Sequence, residues 1–117
     1  MKQIAVAFIA FGALCAPALA ENATGDQIKA AISGNTVQGN MDASGAYTEF
    51  YAADGTAFGD GYKAVWSVEG NQMCWVYEGT PKDCWDVKIS GDQVEWIKDG
   101  ASGGTGTILP GNPNNFN

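Results

Sequence analysis

Thirteen carboxylates, three cysteines and thirteen aromatic rings are the side chains of this 117-residue chain whose types could do chemistry. Histidine is absent, and all six basic residues are lysine. Without histidine the chain cannot build a Ser-His-Asp triad, a Cys-His pair, a histidine metal site or a histidine pH switch from its own residues. Without arginine it has no bidentate fork for phosphate or carboxylate.

The carboxylates offer two groupings. Asp54 and Asp60 flank a glycine-rich stretch, and Asp83 and Asp86 form a second pair. Carboxylates together with carbonyl oxygens can hold calcium, but the Asp-x-Asp-x-Asp-Gly pattern with its distal Glu is missing. Asp-Gly at 54–55 and 60–61 is more simply a hairpin turn. Glycoside hydrolysis needs two carboxyl groups in defined roles, and no motif singles out two of the thirteen. The glycine-rich 100–106 lacks the Gly-Lys-Ser/Thr ending of a phosphate loop and reads as a flexible hairpin loop. No catalytic residue, metal ligand or cofactor is assigned, and the expectation is a protein that is not an enzyme.

The cysteines divide by position. Met1-Lys2-Gln3, an apolar run from Ile4 to Leu14 and the ending Ala16-Pro17-Ala18-Leu19-Ala20 are the parts of a signal peptide over 1–20, with Cys15 inside it. The run is shorter than the roughly 20 residues that span a bilayer, so no membrane span is expected after cleavage. Cys74 and Cys84 remain, and an even pair in a small exported domain reads as a disulfide. The expected location is periplasmic or secreted. Loss of Lys2 with the signal takes the net charge from −7 to −8. That sign opposes nucleic-acid binding and anionic membrane surfaces, and it favours a cationic partner such as an envelope protein.

Elements that could position these groups follow from the spacing. Thr24 and Gln27 form a capping box, Gly34 supplies a left-handed stop, and Ile28, Ala31 and Ile32 share one face between them. Such a helix can dock on a sheet or plug a barrel. From Gly34 onward the period is two, and Gly, Asp and Asn divide the chain into runs at 36–41, 46–52, 56–60, 62–68, 72–77, 82–89, 93–98 and 104–109. The fold class is therefore mainly β: an antiparallel meander or barrel of about eight short strands with one N-terminal helix, a single domain over 21–117.

Alternation also places the rings. Ala64, Trp66 and Val68 share a face, as do Met73, Trp75 and Tyr77, and Trp85, Val87 and Ile89. With these faces inward the cysteines point outward, Cys74 lies across from Cys84, and Met73 meets Trp85 inside. The disulfide and the core then demand the same register. Val94 and Trp96 are expected inward and Ile97 partly exposed. Trp66, Trp75, Tyr77, Trp85 and Trp96 are thus candidate ligand-binding residues, with Phe50, Phe58 and Tyr62 as neighbours. Packing alone also explains them, because a small domain needs large rings to make a core. A filled interior with a shallow pocket at one open end reconciles the two.

The series Gly34-Asn35-Thr36-Val37, Tyr51, Asp54-Gly55-Thr56, Gly61, Trp66-Ser67-Val68-Glu69-Gly70, Cys74, Cys84, Val87, Gly91 and Gly111-Asn112 resembles the small secreted proteobacterial proteins grouped as domain of unknown function 995. It departs from that pattern in the spacing between Gly61 and Trp66. The resemblance implies export and a compact, calycin-like β domain, and brings no catalytic residues. The expected function is a non-enzymatic binding or envelope-associated protein, a monomer, taking an apolar small molecule or a cationic envelope component at the aromatic end of the barrel. An inhibitor of a secreted hydrolase is the alternative, since small acidic disulfide-braced β domains suit that role.

Overall fold

The computed structural model describes residues 21–117, and Thr24 caps the first regular element among them. The expected signal peptide, Cys15 included, lies outside the described residues. Helix α1 (Gly25–Ile32) has the full capping box: the Thr24 hydroxyl accepts from the Gln27 backbone N–H, and the Gln27 side chain accepts from that of Thr24. Ile28 and Ile32 are completely buried, each contributing about 1.5–3 kcal/mol of apolar transfer. Gly25 fits against the backbone of Gly70, where a Cβ would come within 2.2 Å of the carbonyl oxygen.

Eight antiparallel strands follow in a closed barrel: β1 (Asn35–Met41), β2 (Gly45–Tyr51), β3 (Thr56–Gly59), β4 (Tyr62–Glu69), β5 (Gln72–Val76), β6 (Asp83–Ser90), β7 (Gln93–Lys98) and β8 (Ala101–Leu109). Each strand pairs with its sequence neighbour, and β1 pairs with β8 from Thr36↔Leu109 to Met41↔Gly104. Closure leaves no edge strand to template aggregation. The expected mainly β architecture with one short helix is the architecture found.

Because every connection is a hairpin, the turns alternate between two ends. At one end lie the β2–β3, β4–β5 and β6–β7 turns, and α1 packs there. Its start is held by Asn71, whose side chain accepts from the Gly25 N–H, while Gly34 N–H donates to Tyr51 O and Ala23 N–H to Val87 O. At the other end lie the β1–β2, β3–β4, β5–β6 and β7–β8 turns. The tail is tied back to β1 by hydrogen bonds from the Thr36 hydroxyl to Gly111 O and from Gly111 N–H to the Asn35 side chain.

The expected β5–β6 register is present: Met73↔Trp85, Cys74↔Cys84, with the two cysteines disulfide-bonded. Both lie on the face away from the core, yet Cys74 is only 1% exposed. Four expectations are corrected. Residues 101–109 form one continuous strand, so 100–106 is not a flexible loop. Its glycines make room for large groups: a Cβ on Gly103 would meet the Trp85 ring at 2.5 Å, and one on Gly106 the Tyr47 hydroxyl at 2.4 Å. Phe50 and Phe58 stack on each other outside the core, 6.0 Å between ring centroids, because the alternation of β2 turns Glu49 and Tyr51 inward instead. Ile97 is buried rather than partly exposed, next to a register shift between Trp96 and Ile97. Tyr77 lies just past the end of β5 rather than within it.

Candidate functional site

The turn end opposite α1 contains a cavity of about 640 Å³. Its walls carry Tyr47, Glu49 and Tyr51 from β2, Tyr62 from the start of β4, Trp75 from β5, Tyr77 beyond it, Trp85 from β6 and Trp96 from β7. The rim is formed by Met41, the β1–β2 turn, Asp83, Ser102 and Gly103. This volume falls in the range of small-molecule pockets, about 300–1,000 Å³.

Of the five candidate ligand-binding residues, the structure brings four together here: Trp75, Tyr77, Trp85 and Trp96. Tyr62, expected beside them, also lines the cavity. Trp66 does not. Its indole N–H donates to Ala52 O in the β2–β3 turn, and its ring meets the edge of Tyr51 from the helix-capped side. Trp75 and Trp96 cross edge to face, 5.3 Å between centroids.

The residue that organises this end is Glu49, which sequence reading did not single out. It is 3% exposed and accepts three phenolic hydrogen bonds: from Tyr51 at 2.6 Å on Oε1, and from Tyr62 at 2.5 Å and Tyr77 at 2.9 Å on Oε2. A buried carboxylate needs such donors, because loss of water is otherwise costly. Two indoles extend the network. Trp75 donates to the Tyr51 hydroxyl at 3.4 Å, and Trp96 donates at 2.7 Å to the Tyr47 hydroxyl, which in turn donates to Thr105 O.

Sequence spacing carries the signal for this residue. Tyr47, Glu49 and Tyr51 alternate on one face of an otherwise inward-reading run, so an acidic group sits at a core position. Gly59 completes the arrangement: a Cβ there would fall 2.0 Å from the Tyr62 ring, so only glycine lets that ring lie flat enough to reach Glu49.

Burial, and after it the hydrogen bond to and charge of Glu49, raises the hydroxyls of Tyr51, Tyr62 and Tyr77 above the ordinary tyrosine range. Burial likewise raises Tyr47. All four therefore stand as protonated donors at neutral pH. Asp83 behaves differently: hydrogen bonds from Lys98 and from the Trp85 indole hold its carboxyl below the usual range.

The other acidic groupings do structural work. Asp54 accepts from the Thr56 N–H within the β2–β3 turn, and Asp86 accepts from Gln72 while Asp83 turns to Lys98. One cluster of metal-ligating types occurs among the described residues, Glu69 with Cys74 and Cys84, and its sulfurs are both spent in the disulfide. No helix among the described residues is long and apolar enough to cross a membrane. Comparison with known proteins finds no matching family model, no matching curated protein and no matching solved structure.

Proposed function

We propose that this chain is an exported, non-enzymatic binding protein that takes a small molecule with an apolar or aromatic body into the open end of its barrel. The observation that carries the reading is the 640 Å³ cavity walled by Trp75, Tyr77, Trp85 and Trp96, with Tyr47, Tyr51 and Tyr62 completing the ring. Rings of this kind give large contact area at low entropic cost. Closed strands position them rigidly, and Glu49 fixes three of the phenols. Export accords with the buried Cys74–Cys84 disulfide, which is compatible with an oxidising compartment.

Tryptophan fluorescence of the disulfide-bonded protein, titrated with a panel of lipids, haem and aromatic compounds, tests the reading. The expected result is a saturable quench or shift with at least one class, abolished by Trp85→Ala and retained in Trp66→Phe. A flat response to every member of the panel overturns it.

A further inference from the structure

The cavity has a chemical polarity that the binding reading leaves unused. Glu49 lies 3% exposed in its wall and Asp42 stands at its rim; Asp83, also at the rim, is paired with Lys98, whose ammonium sits 5.4 Å from the Trp85 ring centroid, and no lysine reaches Glu49. The ion pairs among the described residues are Lys82–Glu69 and Lys98–Asp83, both on exposed side chains. Glu49 therefore meets hydroxyl donors but no counter-cation. Three phenols share its charge without cancelling it.

Resting on the binding reading above, we propose that the ligand is an organic cation, a small amine or quaternary ammonium compound with an apolar body, whose charged group is held by Glu49 within the aromatic walls. Two physical effects point the same way. Aromatic faces attract cations through their quadrupoles, most strongly where water is excluded. A neutral ligand filling the cavity would strip water from a carboxylate that has no opposite charge, whereas a cation supplies that charge as the water leaves. An anionic ligand meets repulsion from Glu49 and Asp42, while Asp83 is neutralised by Lys98. The surrounding field agrees, since the chain's formal charge is −7 and steers cations inward. The raised hydroxyls of Tyr51, Tyr62 and Tyr77 keep those residues as donors to the carboxylate, so they do not compete for the cation as phenolates.

The test compares benzyltrimethylammonium with its uncharged isostere neopentylbenzene, by calorimetry and tryptophan fluorescence on the disulfide-bonded protein. The expected result is tighter binding of the ammonium probe, a loss of about tenfold or more in Glu49→Gln, and no loss for the neutral probe in that variant. If Glu49→Gln does not fold, salt decides on the unaltered protein. Raising ionic strength from about 0.01 to 0.3 M should weaken the ammonium probe and leave the neutral one unchanged.

Equal or tighter binding of neopentylbenzene, or ammonium binding insensitive to both Glu49→Gln and salt, overturns the cation assignment and leaves the binding reading standing. Absence of ammonium binding also overturns it, and absence of binding by the whole aromatic and lipid panel removes the underlying reading as well.

Discussion

Glu49 and its three phenols depend on one another. The carboxylate keeps its place because Tyr51, Tyr62 and Tyr77 donate to it, and those hydroxyls hold their protons because burial and then the carboxylate oppose ionisation. Stability should follow pH accordingly. Tyrosines in the unfolded chain ionise near pH 10, while these three stay protonated in the folded state. Their contribution is therefore complete below about pH 10 and is lost as pH rises beyond it. Tyr51→Phe should cost about 1–2 kcal/mol at pH 7, because it leaves Glu49 Oε1 and the Trp75 indole without their partner. It should also make the alkaline decline shallower. Urea denaturation across pH 7–11 measures both, and an unchanged alkaline slope in the variant would contradict this account.

At the scale of elements, the β5–β6 hairpin braces one wall of the cavity with a covalent tie. Its chain continues directly into Tyr77, so order in the hairpin is order at the site. Cys74→Ser should lower stability by about 2–3 kcal/mol, the value expected for so short a loop, and should lower the melting temperature measured by circular dichroism. An unaltered transition would refute a stabilising bridge.

This hairpin is also where the sequence is most readable. Alternation alone puts Cys74 across from Cys84 and Met73 across from Trp85, because the cysteine pair and the ring faces independently require one register. The capping box at Thr24 is equally direct, since its two bonds are local. Elsewhere the deciding contacts are distant. Gly103 and Gly106 look like turn punctuation until Trp85 and Tyr47 are seen to occupy the space a side chain would fill. Phe50 and Phe58 look like core until Glu49 takes the inward position on β2. That position breaks the usual rule that charge faces water, and such breaks are where sites are found.

For the whole molecule, acidity works against compactness. A formal charge of −7 repels itself, and the two ion pairs among the described residues that salt would weaken are exposed at both partners, so each is worth little. Added salt should therefore stabilise on balance. Raising sodium chloride from about 0.01 to 0.3 M should increase the melting temperature by about 2–4 °C, read by calorimetry. A fall in melting temperature would mean that attraction, not repulsion, dominates the charge pattern.

The alternation of hairpins between two ends has a kinetic corollary. On the binding function proposed above, with α1 seated over one set of turns and the cavity open at the other, arrival and departure use the same doorway. Such a barrel is a cup and not a conduit: a molecule inside must leave before another can take its place. Exchange of one guest for another should then proceed at a rate set by the departing guest, whatever the concentration of its successor.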